Sequence, residues 1–343
     1  MKRAKMLLLF IGLMLVIGFF SFLGLEDIFS IILTSNPVML FLAFFTQVSI
    51  ILVLSLRMSI IINTQGGLEL KKGGWSSGTH RGFSFLDVIK VVVIGMAVNF
   101  VTPIVKLGGE PAKIYMLKRK NIKATTSTAI VAVDSFAEFS TYYLLIFPII
   151  LIMLIAGVLP FAKLLPFLIL LLISSLLLCG FLFLCFNYKM LRRITEWTIR
   201  KISMLVNKFS KTSIDLKKDY AKMFHTAFGI LMNEKKLMIK TYSLSFLLRI
   251  LEFLRIYFIF NAFSYEISFS TIIFAWALTL LIGVVPWLPG GLGLVEAGGT
   301  YAFMLLGVMK SVAGAVIFVD RIICFWLVLV IGMCIVWIKK IKI

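Results

Sequence analysis

Acid is scarce in this chain: its 343 residues hold 15 Asp or Glu against 35 Lys or Arg, with two histidines and four cysteines. His80 and His225 both fall outside the apolar runs, which argues against a histidine-based catalytic site in the membrane. Cys179, Cys185, Cys324 and Cys334 lie inside apolar runs and form no CxxC pair, so they read as packing residues rather than metal ligands. No GxxxxGK[ST] motif occurs, so transport here would be ion-driven, partner-driven or downhill rather than nucleotide-driven. No metal or cofactor is expected.

What is abundant is apolar surface. The chain is 61% hydrophobic, and its mean hydropathy is +1.07, far from a soluble globular domain. Several runs exceed the roughly 20 residues that cross a bilayer as helix. The expectation is an all-α polytopic membrane protein of about six full spans plus two broken or re-entrant elements arranged as an inverted repeat. The run from Met6 to Phe22 follows Lys2, Arg3 and Lys5. It is longer than a usual signal core and lacks a small-x-small cleavage site, so it reads as a retained first helix. The net charge of +20 could suggest nucleic acid, but in a membrane chain it more often marks cytoplasmic loops facing anionic lipid.

Charge placement sets a topology. Both termini are expected in the cytoplasm of a multi-pass cell-membrane protein, with full spans near 6–22, 38–62, 127–158, 164–186, 237–260 and 312–338. The sequence divides into an N-terminal helical pair (1–62), a first repeat half (85–186), a basic amphipathic linker (187–236) and a second half (237–338). Within 187–240 there are thirteen Lys or Arg against four acids, and Leu191, Ile194, Thr198, Ile202, Leu205 and Phe209 recur at three- and four-residue steps. That helix is either a solvated linker or lies on the inner membrane surface.

Two apolar stretches are interrupted. Pro286-Trp-Leu-Pro289-Gly290-Gly291-Leu-Gly293-Leu-Val-Glu296 and Pro103-Ile-Val-Lys106-Leu-Gly108-Gly109-Glu110 both end seven residues after a proline on glutamate. Proline removes a donor and glycine weakens helix, while lipid offers no replacement partner. The bland reading is a kinked helix whose glycines admit a neighbour; the sharper one is a hairpin lining a polar cavity. An offset of 186 residues aligns Glu110 with Glu296, Asp134 with Asp320, Tyr115 with Tyr301, Ala129 with Ala315, Val133 with Val319 and Phe139 with Phe325. Matching interruptions in two halves point to a transporter-type site. If 85–103 crossed fully, Lys106, Lys113, Lys118, Arg119, Lys120 and Lys123 would sit outside, so re-entry from the cytoplasm fits better. The second broken element must then begin and end on the outer side.

Charges at membrane depth are candidates by default: Glu110, Asp134, Glu138, Arg249, Glu252, Arg255, Glu296, Asp320 and Arg321. Asp134 and Glu138 share a helix face. Arg249, Glu252 and Arg255 sit at three-residue steps, so they either pair among themselves or serve a ligand. Arg321, Lys106 and Lys113 are candidate phosphate contacts, with Asn99, Pro103, Gly108, Gly109, Pro289, Gly290, Gly291 and Gly293 shaping the broken backbone. The acids could instead pair with those bases, carry protons or hold a cationic headgroup.

The pattern Asn99-x3-Pro103-x4-Gly108-Gly109-Glu110, Asp134-x3-Glu138 and Pro286-x2-Pro289-Gly290-Gly291-Leu292-Gly293-x2-Glu296, followed by Arg321, resembles the lysylphosphatidylglycerol synthase transmembrane region, or flippase-like membrane domain. In bifunctional members that region is associated with moving aminoacylated phosphatidylglycerol between leaflets, and a soluble aminoacyl-transferase domain makes the lipid. The sequence ends soon after its last helix, so the resemblance implies a stand-alone member without that domain. It implies membrane lipids as partners, an anionic phospholipid or a glycolipid, with a separate synthase or glycosyltransferase as a further partner. It implies no nucleic acid and is compatible with an oligomer. The leading expectation is a lipid translocase; the alternatives are a membrane-embedded lipid-modifying enzyme or an anchor for a glycosyltransferase.

Overall fold

The protein is described by a computed structural model covering residues 25–71, 84–102, 108–120, 122–197, 220–283 and 289–338. The first expected span (6–22), Pro103, Lys106 and Pro286 lie outside the described residues.

Among the described residues the regular structure is helix, with no strand. A short α1 (Leu25–Leu33) precedes α2 (Pro37–Lys71). Next come α3 (Phe85–Val101), α4 (Gly109–Arg119), α5 (Ala124–Ile155) and α6 (Phe161–Phe186). A further helix covers residues 188–197. Then follow α7 (Tyr220–Asn233), α8 (Lys235–Ala262), α9 (Phe269–Gly283) and α10 (Leu294–Leu305). The last, α11 (Lys310–Ile338), contains one π turn over Ile322–Trp326. Pro37–Thr64, Ala124–Ile155, Phe161–Phe186 and Lys310–Ile338 are long and apolar enough to cross a membrane. Helix α8 matches them in length, but it carries Arg249, Glu252 and Arg255, with both arginines buried. Its charges face protein rather than lipid, as burial in hydrocarbon requires.

Both interrupted stretches are hairpins. In the first, α4 returns along α3: a Cβ at Gly95 would lie 2.7 Å from Lys113 Cγ, and one at Gly109 would lie 2.5 Å from the Asn99 carboxamide. In the second, α10 returns along α9, with Gly298 against Ile282 and Gly299 against Thr279. The return arms have 11 and 12 residues. At 1.5 Å per residue each reaches roughly 16–18 Å, about half of a ~30 Å hydrocarbon core. Re-entry therefore follows from length as well as from packing.

Two apolar clusters place the hairpin bases at opposite ends of the molecule. One joins Met58 and Ile62 of α2, Val88 of α3, Leu117 of α4, Ile130 of α5 and Leu237 of α8. The other joins Ala43 of α2, Ile150 of α5, Phe260 of α8, Ile272 of α9, Phe303 of α10 and Val312 of α11. Long helices run from one cluster to the other, so each hairpin starts from its own end. The tips meet between them, where a Cβ at Gly290 would fall 2.8 Å from the Phe100 carbonyl oxygen. Gly290 and Gly291, at φ 63° and 69°, make this turn in the left-handed region that favours glycine. Helix α7 belongs to the first cluster, burying Phe228 and Leu231 within it.

Candidate functional site

The layer between the two clusters holds the buried charge. In the first half Arg57, fully buried, donates from Nε to Asp134 Oδ1 at 2.7 Å and from Nη2 to Glu138 Oε2 at 3.0 Å. The i, i+4 spacing on α5 lets one guanidinium take both acids. Lys113 reaches Glu110 at 3.3 Å and Asp134 at 3.6 Å. In the second half Arg255 Nε donates to Asp320 Oδ1 at 2.7 Å, and Arg249 Nη1 donates to Glu252 Oε2 at 2.9 Å. Arg321 Nε lies 3.1 Å from Glu296 Oε1. Pairing of this kind is what keeps charge tolerable in a low-dielectric interior.

The two halves repeat each other's bonds. Arg57 Nη1 donates to Ser245 on α8, and Arg255 Nη1 donates to Gln47 on α2. Arg57 and Arg255 are 198 residues apart, and so are Gln47 and Ser245. Exchanging the halves therefore maps Arg57–Asp134 with Ser245 onto Arg255–Asp320 with Gln47. Position 57 meets 245 while 47 meets 255, so α2 and α8 run antiparallel through the centre. Burial repeats too: Ala129 and Ala315, and Val133 and Val319, are buried, whereas Tyr115 and Tyr301 are both exposed.

The hairpin turns are fastened by side chains. Asn99 Oδ1 accepts from Gly109 N at 2.7 Å, and Glu296 Oε2 accepts from Gly293 N at 2.7 Å. Each holds the start of a return arm, where helix amides are otherwise unsatisfied. Gly108 sits against Thr102, leaving no room for a Cβ.

A cavity of about 180 Å³ opens in the second half, with Glu252, Arg255, Trp276, Asp320, Arg321 and Cys324 among its lining. Trp276 Nε1 donates to Glu252 Oε2 at 3.1 Å, and the Arg249 guanidinium lies 4.0 Å from the Tyr142 ring centroid. Arg321 Nη2 is buried and has no hydrogen-bond partner among the described residues. This chemistry, paired charges beside aromatic faces with one spare donor, suits a polar headgroup. Among the described residues no group of three His, Cys, Asp or Glu could hold a metal.

The family model for the lysylphosphatidylglycerol synthase TM region matches residues 6–332. The chain belongs to this family. Its relatives include a UPF0104 membrane protein of Methanothermobacter thermautotrophicus, 27% identical over 342 residues, covering 97% of this chain and 94% of the relative. Similar proteins occur in Pyrococcus horikoshii (23% identical, 96% of this chain and 95% of the relative) and Methanocaldococcus jannaschii (25% identical, 95% of this chain and 92% of the relative). No solved structure matches the chain.

Within this lysylphosphatidylglycerol synthase TM region, the structure brings every described candidate into the middle layer or a hairpin turn. Their arrangement differs from a set of open phosphate contacts. Arg249 and Arg255 are paired with carboxylates, and Lys113 lies buried between two acids. Of the trio on α8, Arg249 and Glu252 pair internally, while Arg255 reaches across to α11. Glu296, 1% exposed, serves the turn and Arg321 rather than lining the cavity. Sequence reasoning did not single out Arg57, Gln47, Ser245 or Trp276. The signal for Arg57 was its length-matched place on α2, hidden because the spacing between Arg and Asp differs by twelve residues between halves.

Proposed function

We propose that this protein is a lipid translocase of the cell membrane, with both termini cytoplasmic. It would carry a polar or anionic phospholipid or glycolipid headgroup through the charged middle layer while the acyl chains stay in lipid. The observation that carries this reading is the meeting of two half-length hairpins, rooted at opposite ends, with a polar cavity beside the arms of the second. A headgroup entering from either end meets broken backbone and paired charge only at mid-depth, as in inverted-repeat transporters. The basic residues on the base of the first hairpin, among them Lys118, Arg119 and Lys120, support a cytoplasmic side for that end by the positive-inside rule. Family membership supports a lipid-linked role, and a separate synthase or glycosyltransferase would supply the lipid.

The enzyme alternative is weaker on the same geometry. Asp134, Glu296 and Asp320 are each engaged by an arginine, so these carboxylates are committed to ion pairs rather than presented to a substrate as a general base. The test is reconstitution into liposomes carrying a fluorescent, nitrobenzoxadiazole-labelled phosphatidylglycerol. Dithionite should bleach lipid beyond the outer-leaflet half in protein-containing vesicles and only the outer half in empty ones. Identical bleaching, repeated with labelled phosphatidylethanolamine and a glycolipid, would reject the proposal.

A further inference from the structure

The pseudo-twofold exchange sets a buried lysine of the first half against a glycine of the second. Lys113 lies at the offset-186 equivalent of Gly299. Gly299 packs against Thr279 and Ile317, two residues that line the cavity. In the first half the side chain that Gly299 lacks runs inward along Gly95, where an added Cβ would be 2.9 Å from Lys113 Cε. Its ammonium ends 3.3 Å from Glu110 and 3.6 Å from Asp134, the equivalents of Glu296 and Asp320. The residue is 8% exposed. Ser135, at the equivalent of Arg321, holds a buried hydroxyl with no hydrogen-bond partner among the described residues, just as Arg321 Nη2 has none.

We propose that the first half contains a latent pocket for a primary ammonium group, occupied by the protein's own Lys113. The lysine acts as a tethered ligand: four methylenes run along Gly95 from a position that is glycine in the second half, and its ammonium reaches the two carboxylates. Removing the side chain to its second-half counterpart, glycine, vacates a slot with carboxylates at its end, which fits a short alkylammonium ion. The halves are thus functionally unequal although their frameworks match. The proposal rests on the exchange of halves and stands whether or not the second-half cavity carries a lipid.

The test uses the full-length protein in detergent with its native cysteines replaced and Ser135→Cys as reporter, read by its rate of modification with 2-aminoethyl methanethiosulfonate. With Lys113 present modification is slow. In Lys113→Gly it becomes faster by roughly tenfold or more, as when a site closed most of the time is vacated, and millimolar ethylamine slows it again. Lys113→Met, which fills the slot without the charge, stays slow. A Lys113→Gly rate no faster than the parent, or a fast rate insensitive to ethylamine, overturns the proposal, as does fast modification in Lys113→Met.

Discussion

Arg57 and Arg255 make the same bonds from the two halves, each holding an aspartate of its own half through Nε and a polar side chain of the other half through Nη1. Such a residue both neutralises charge and ties α2 to α8. Removing one partner of a buried pair typically costs ~3–5 kcal/mol, because the other charge is left unpaired. Arg57→Met is therefore expected to lower the thermal midpoint in detergent sharply, read by fluorescence-detected size exclusion. The double change Arg57→Met with Asp134→Leu should recover part of that loss, since the aspartate is then no longer buried opposite a missing guanidinium. An unchanged midpoint in the single variant would mean the pair is not buried as described. The acids of this layer were legible in sequence because a charge in an apolar run stands out. Gln47 and Ser245 were not, since a neutral polar residue on a long helix has many uneventful explanations.

At the scale of elements, the hairpins were legible as interruptions because proline and glycine act locally on helix. Their depth was not, because the closeness of two arms depends on what each glycine faces. Gly109 approaches the Gly95 carbonyl oxygen, and Gly290 approaches Phe325 and Phe100. Gly290→Ala combines a left-handed φ with that contact. The conformation alone costs about 1–2 kcal/mol for a residue with a Cβ, so this variant should separate the tips more than Gly180→Ala, where an added Cβ meets nothing. A disulfide-trapping pair across the tips would report it as slower cross-linking in Gly290→Ala only; equal cross-linking in both would contradict the tip contact. The π turn after Arg321 had no sequence signature. It rewinds α11 directly beyond Asp320 and Arg321, and π turns of this kind recur at functional sites.

Across the whole molecule the repeat was readable from Pro103 to Phe139 against Pro289 to Phe325, where no residue is gained or lost. It faded upstream, where the offset grows from 186 to 198 between α2 and α3. The structural repeat accordingly includes α2 and α8, which the offset of 186 alone could not align. Opposed hairpin bases predict opposed accessibility. In whole cells, a membrane-impermeant maleimide should label Met309→Cys at the base of the second hairpin, while Lys118→Cys at the base of the first reacts only after permeabilisation. Both positions are exposed, so labelling of both from one side would place the two bases together and remove the inverted arrangement.

The central claim is that headgroups cross through the charged middle layer by way of the second-half cavity. The most direct measurement is the dithionite-accessible fraction of labelled phosphatidylglycerol in proteoliposomes of three variants matched for reconstituted amount. Asp320→Asn and Arg321→Gln alter cavity-lining groups, while Asp87→Asn alters an ion pair with Lys120 at the base of the first hairpin. The account predicts that the two cavity variants bleach like empty vesicles while Asp87→Asn bleaches like the unmodified protein. Bleaching that is equal in all three and matches the unmodified protein would contradict it.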